Sequence, residues 1–270
     1  MTQSQNRIAF ILASTHHGTM IVNRLDFREA DPTNVYGVGF QLLNTSSYQP
    51  DETKLATTLL DRRRRHFGDG VSVLDIGANI GVFTIAWAKH MGGWGRVLAI
   101  EAQERIYYAL AGNIVINNCF NARAICAAVT NQCGVMRVPV PNYLVPGSFG
   151  SLELRQSEQN EYIGQPIDYH DDRLTSVTAI SVDSLNLPRL DLMKVDVERM
   201  ELEVLEGAQK TIDRHHPILI VENLKSDRAA LRDRLNSFGY RYFVSGLNFV
   251  AIHPSDPCIE IGRDAPQPAT

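Results

Sequence analysis

The residues with chemistry to offer gather in two places. In VLDIGANIG, residues 73–81, an apolar run meets Asp75, and Gly77, Asn79 and Gly81 space a tight turn that leads straight into a helix-period segment. Glycine in such a turn tolerates positive φ and lets a ligand approach the backbone closely. Glu101 ends the next apolar run, 26 residues beyond Asp75. An acid there is placed to accept hydrogen bonds from both hydroxyls of a ribose. The turn lacks the G-x-G-x-x-G spacing of a pyrophosphate loop, because Asn79 stands where a middle glycine would be.

The second place follows two later apolar runs. LMKV is followed by Asp196, Glu198 and Glu201, and ILIV by Glu222 and Asn223. If both runs are parallel strands, Asp196, Glu222 and Asn223 emerge on one rim, where ligands bind in such sheets. Oxygen donors of this kind suit a hard divalent cation such as magnesium. Without a metal, Asp196 is placed to act as general base on an acceptor hydroxyl, with Glu198 beside it. For Glu198 and Glu201 the plainer expectation is stabilisation of a helix N-terminus.

Alternating elements must position these groups. Short apolar runs (VSVLDI, RVLAIE, ARAICAAV, LDLMKVD, ILIVEN) alternate with helix-period segments from Val71 onward, the pattern of a parallel sheet covered by helices. VERMELEVLEGAQKTI predicts one helix with Val197, Met200, Val204, Leu205, Ala208 and Ile212 on its buried stripe, and with Glu206 and Lys210 four apart. YRYFVSGLNFVAIH predicts a hairpin turning at Ser245-Gly246, and the Pro-rich segment after His253 predicts a mobile or surface tail. Residues 1–54 and the loop-rich stretch 141–176 fit neither pattern, which marks them as segments that choose an acceptor.

VLDIGANIGVFTIAWAK, VLAIEA, LDLMKVDVERMELEVLEGAQ and PILIVEN, in that order, resemble the FkbM family of S-adenosylmethionine-dependent methyltransferases over residues 55–253. The resemblance implies an α/β class I methyltransferase fold, a Rossmann-like three-layer sandwich. Its sheet is seven-stranded and mostly parallel, with a C-terminal antiparallel hairpin. It further implies that Asp75, Gly77, Ala78, Asn79, Gly81, Glu101 and Ala102 line the cofactor site, with Asn113 and Ala128 on its adenosine side. The family commonly has glycine after the D-V-E block, where this chain has Arg199, and proline where it has Gln103. The strand-end acids also resemble the magnesium site of catechol O-methyltransferases, which implies a metal held by Asp196, Glu222 and Asn223.

The remaining features narrow the function. With 270 residues and a formal charge of -4, the chain offers nucleic acid and anionic membranes no global attraction. The run Arg62–His66 suggests a polyanion patch, though cations at a helix C-terminus explain it as well. His16 and His17 read as loop surface or as a remote acceptor base. Four cysteines without a C-x-x-C pair read as reduced thiols, and no apolar run is long enough to span a bilayer.

The expectation is a cytoplasmic S-adenosylmethionine-dependent methyltransferase that methylates a hydroxyl of a sugar or secondary metabolite. It has an N-terminal extension (1–54), the catalytic domain (55–253) and a tail (254–270), and its partner is a small-molecule or glycan acceptor. The rivals are a nicotinamide-dependent oxidoreductase, which the missing pyrophosphate loop disfavours, and a methyltransferase-like binding protein without turnover.

Overall fold

Two kinds of sequence, one of short hairpins and one of buried strands alternating with helices, produce two compact units in the computed structural model, which describes residues 8–31 and 34–259. The first unit comprises residues up to Tyr48 together with Arg137–Ser176, and the second Gln49–Met136 with Val177 onward.

Residues 1–54 are more regular than expected. β1 (Phe10–Thr15) and β2 (Gly18–Asn23) form an antiparallel hairpin, β3 (Arg28–Asp31) and β4 (Asn34–Tyr36) a second pair, and α1 (Val38–Thr45) follows. Asp26 organises this unit: one carboxylate oxygen accepts the Gly39 N–H and the other the Phe149 N–H, both at 3.0 Å. Burial pushes its carboxyl up to about 6 despite those two bonds. Of the two histidines, His16 is exposed but His17 is buried and accepts the Tyr48 N–H, so His17 is not loop surface.

The second unit begins with α2 (Pro50–Phe67), so the boundary falls earlier than the one expected at residue 54. Then come β5 (Val71–Ile76), α3 (Val82–His90), β6 (Gly95–Glu101), α4 (Glu104–Ile116) and β7 (Ala122–Cys126). ARAICAAV is two strands, because β8 (Ala128–Val129) leaves the main sheet; β9 (Gly134–Val138) and β10 (Thr175–Ile180) complete a small sheet in the order β8-β10-β9. The chain continues with β11 (Leu192–Val195), α5 (Glu201–Glu206), α6 (Gln209–His215), β12 (Ile218–Glu222), α7 (Arg228–Ser237), β13 (Arg241–Ser245) and β14 (Asn248–Ile252).

The seven-stranded sheet runs β13-β14-β12-β11-β5-β6-β7. β7, β6, β5, β11 and β12 are parallel, and β14 inserts antiparallel between β12 and β13. This is the mostly parallel class I methyltransferase sheet with its reversed hairpin. The strand order reverses between β5 and β11, the point beyond whose carboxyl ends sheets of this kind bind their ligands.

Side chains alternate across the sheet. Leu74, Ile76, Met193, Val195, Leu219 and Val221 join Val204, Leu205, Ile212, Leu231 and Leu235 of α5–α7 in one core. Asp75 and Lys194 fall on the other face, toward α2 and α3. The predicted single helix over 197–212 is instead α5 and α6. Its apolar stripe is still buried from Met200 to Ile212, with Val197 half-buried; Gly207 caps α5, and a Cβ there would lie 2.3 Å from the Thr130 carbonyl oxygen. Glu206 and Lys210 therefore do not pair along one helix: Glu206 accepts from Asn131 and the Lys210 N–H donates to Asp183. The hairpin turns at Gly246-Leu247, one residue later than expected.

The arginine run is internal bonding rather than a patch. Arg63 is 5% exposed and bridges Asp191 at 3.1 Å and Asp256 at 2.6 Å. Arg64 pairs with Asp69, and Arg62 donates to the Cys258 carbonyl. The start of the tail is thereby fastened: Asp256 and Cys258 are buried, while residues 260–270 lie outside the described residues. All four cysteines are free thiols, and among the described residues no helix is long and apolar enough to cross a membrane. Removing one member of a buried ion pair strands its partners. Arg63→Ala is expected to lower unfolding stability by about 3 kcal/mol in urea titration, against under about 0.5 kcal/mol for the neighbouring Arg65→Ala.

Candidate active site at the carboxyl ends of the central strands

The glycine turn grows from the end of β5. Its backbone is tied to β6, since the N–H groups of Gly77 and Ala78 both donate to the Ile100 carbonyl, at 2.9 and 3.0 Å. Gly77 adopts φ +77°, and a Cβ there would lie 1.7 Å from the backbone oxygen of Asp196. No side chain fits, so the turn rests directly on the chain leaving β11. Gly81 is also in the left-handed region, and its missing Cβ would meet Leu110 at 2.5 Å. Asn79, where a dinucleotide loop has glycine, takes φ +50° and steadies itself by accepting the Ile80 N–H on Oδ1.

Glu101 closes the turn from the neighbouring strand. Its Oε2 accepts the Asn79 N–H at 2.9 Å and its Oε1 the Gln103 N–H at 2.8 Å. Burial pushes its carboxyl up to about 7 against those two bonds, with Ala102 contributing a third backbone donor. Each carboxylate oxygen has a second lone pair, so a ribose hydroxyl can still be accepted.

The two residues expected on the adenosine side are both buried. Asn113 is fully buried and donates its amide to the Ile80 carbonyl at 2.8 Å, so it braces the turn from behind. Ala128 is 1% exposed and paired in β8 with Ala179. Sequence position alone does not reveal that burial.

Asp75 is 1% exposed; its Oδ2 accepts from Thr84 at 2.6 Å and its Oδ1 has no partner. Burial pushes its carboxyl up. Across the register from Asp75, Lys194 is 2% exposed and donates to Asp196 Oδ2 at 2.7 Å. Burial works against its charge, yet Asp196, Glu52 and Asp75 together hold the ammonium above the usual lysine range. The reading of the sequence missed this residue, although a lone lysine inside the apolar run LMKV was a visible signal. Glu52 of α2 was missed too, since nothing local connects it to β11.

The strand-end acids do converge. Carboxylate oxygens of Asp196, Glu198 and Glu222 lie within 4.8 Å of one another. Glu198 pairs with Lys225 at 2.7 Å, another residue the sequence left unremarked. Burial pushes the Glu198 carboxyl up to about 8 against the pull of that lysine. Glu222 has no ion pair among the described residues, and burial, together with Asp196, Glu198 and Glu201, pushes it up to about 9. Glu201 is turned inward: it is 1% exposed, accepts the Val197 N–H at 3.1 Å and takes the Ser226 hydroxyl. Asn223 is buried; its N–H donates to the Leu247 carbonyl, and its side-chain nitrogen is unpartnered.

For a divalent metal the fit is poor. Ammonium groups already sit at 2.7 Å on two of the three clustered carboxylates, Lys194 on Asp196 and Lys225 on Glu198. The departure at Arg199 is structural as well. Glu198 and Arg199 take φ +55° and +80°, so this chain carries a side chain in the left-handed conformation where a glycine would be unstrained.

A family model described as the methyltransferase FkbM domain matches residues 75–242. Among solved structures, the methyltransferase FkbM from Methylobacillus flagellatus KT is similar at 16% identity and a TM-score of 0.49, covering 68% of this chain and 44% of that one. This chain therefore spans less than half of that relative's length. Precorrin-6y C5,15-methyltransferase from Geobacter metallireducens GS-15 is similar at 12% identity and a TM-score of 0.43, covering 77% of this chain and 90% of that one. A SAM dependent methyltransferase from Aquifex aeolicus is similar at 14% identity and a TM-score of 0.36, covering 76% and 97%. No curated protein matches the chain.

Two outcomes test this geometry. Gly77→Ala combines left-handed strain with overlap on the Asp196 carbonyl and is expected to cost about 3 kcal/mol of unfolding stability, read by denaturant titration. For Glu222, a folded pKa of about 9 against 4.5 unfolded means that the native state keeps its proton longer. Its contribution is complete below pH 4.5 and is lost as pH rises toward 9. Glu222→Gln should therefore melt with wild type at pH 4.5 and increasingly above it from pH 6 to 9.

Proposed function

We propose a function from one premise: the chain belongs to the methyltransferase FkbM domain family, whose model matches more than half of its length. Membership supports S-adenosylmethionine as the cofactor. The finer reading is an O-methyltransferase acting on a hydroxyl of a sugar or secondary metabolite. The observation that carries it is the contact between the glycine turn and the end of β11, which sets Asp196 beside the turn with a side chain 29% exposed.

S-adenosylmethionine, when bound, supplies a methyl group already activated by its positive sulfur. The turn at Gly77–Gly81 offers backbone to the ligand, and Glu101 offers acceptors to its ribose. Asp75, before the turn, orients the charged amino-acid end through water. Asp196 takes the proton of the acceptor hydroxyl as that oxygen gains the methyl group. Lys194 donates to one Asp196 oxygen, which leaves the other to take that proton. Most of the acceleration comes from holding donor and acceptor at near-attack distance. Glu198, expected beside Asp196 in catalysis, acts here as the partner of Lys225.

We assign acceptor choice to residues 1–54 and 140–176, since segments outside the alternating sheet-and-helix pattern are of the kind that carry specificity. The work is done without a metal: the lysines supply the positive charge a dication would bring. Chelation and dialysis are expected to leave turnover unchanged.

Calorimetric titration is expected to show binding of S-adenosylmethionine and none of NAD; the reverse would favour an oxidoreductase. Asp196→Asn should keep cofactor affinity while lowering methyl transfer about 100-fold, measured with an acceptor found by screening hydroxyl compounds against labelled donor. Unchanged turnover in Asp196→Asn would remove the general base. Absence of any transfer across the screen would favour a binding protein.

A further inference from the structure

Three carboxylates and one ammonium gather on the α2 and α3 side of the central sheet: Asp75 and Lys194 are buried, Glu52 is half-buried and the Asp196 side chain is 29% exposed. Lys194 donates to Asp196 at 2.7 Å and lies 4.9 Å from the centre of the Phe83 ring. Asp75 stands opposite Lys194 in the register, with Oδ2 on Thr84 and Oδ1 without a partner at 1% exposure. Glu52 reaches in from the first turn of α2; its Oε2 accepts from Asn248 at 2.9 Å, and its buried Oε1 has no partner.

The balance is lopsided. One ammonium cannot neutralise three carboxylates, and two carboxylate oxygens are left buried without a hydrogen bond, a costly arrangement. Burial pushes both the Glu52 and the Asp75 carboxyls up, so each ionises more readily once positive charge arrives. Lys194 supplies one positive charge to the group, and a cationic ligand beside the glycine turn supplies another. Asp75 and Asp196 tie the group to the glycine turn, one immediately before it and the other against Gly77.

We propose that Glu52, Asp75 and Asp196, incompletely offset by Lys194, make this site select its ligand by charge, favouring the positively charged methyl donor over its neutral demethylated product. The inference rests on the methyl-donor reading above and deepens it. S-adenosylmethionine carries a positive sulfonium, and S-adenosylhomocysteine differs by losing the methyl group and that charge. Transfer of the methyl thus removes the charge for which the carboxylates hold the ligand, and the product leaves more easily. Lys194 sets the size of the preference by limiting how negative the group becomes.

The test is calorimetric titration of the full chain with S-adenosylmethionine, S-adenosylhomocysteine and sinefungin, which has an amine cation in place of the sulfonium and no methyl group to transfer. Wild type should bind both cationic ligands more tightly than S-adenosylhomocysteine. Glu52→Gln should reduce the ratio of sinefungin to S-adenosylhomocysteine affinity by about fivefold or more, and Lys194→Met should raise it by a similar factor. A ratio that moves less than about twofold in Glu52→Gln, or in the same direction in both variants, overturns the proposal. If Lys194→Met does not fold, Glu52→Gln decides alone, because glutamine retains the oxygen that accepts from Asn248. Failure of wild type to bind any of the three ligands would sink the methyl-donor reading and this inference with it. Binding of all three with an unmoved ratio would sink only the charge selection.

Discussion

The contact between Gly77 and the Asp196 carbonyl is the constraint on which the rest of the site depends. Two backbone segments meet with no room for a single carbon between them. That closeness places the end of β11 against the turn that follows β5, at the point where the strand order reverses. Hydrogen bonds lock the approach from both sides: the Gly77 and Ala78 N–H groups reach the Ile100 carbonyl, and the Asp196 N–H reaches the Ile76 carbonyl. The glycine turn and Asp196 are therefore held by main chain, which has few ways to relax. A side chain at residue 77 would part the turn from the end of β11.

Around this contact the protein concentrates negative charge. Glu52, Asp75, Glu101, Glu198, Glu201 and Glu222 all have carboxyls pushed upward, and burial is the leading cause for each. Lys194 and Lys225 offset part of it. Such a site resists ionisation, because a low-dielectric setting magnifies every uncompensated carboxylate. The same lysines argue against a dication, since they already stand on two of the three clustered acids. Arg199 is a strained backbone position beside these groups, tolerated because strand, turn and α5 determine the chain path around it.

Much of this was legible in the sequence for a physical reason. Strands buried on both faces have to be continuously apolar, so VSVLDI and ILIVEN declared themselves, and a tight turn before a helix needs its glycines. The break between α5 and α6 was not legible, because the stripe Met200, Val204, Leu205, Ala208 and Ile212 keeps helical spacing across it. Gly207 caps α5 against the Thr130 carbonyl, a contact from a distant part of the chain. ARAICAAV concealed its division for a similar reason: both halves are apolar, and only pairing partners distinguish β7 from β8. Nor was the burial of Asn113 and Ala128 legible, because spacing along the chain does not say which way a side chain points.

The sequence by itself determined the element types, the parallel sheet with its reversed hairpin, the glycine turn with Glu101 behind it, and the family to which these motifs belong. Those properties follow from local periodicity, backbone propensity and spacing along a strand. Tertiary structure alone decided which charges meet, Lys225 with Glu198 and Arg63 with Asp191 and Asp256, and that Glu52 lies within the electrostatic reach of Lys194. Such pairs join residues as much as 193 positions apart. Their energetics come from shared burial, a property that no stretch of sequence possesses until the chain has folded around it.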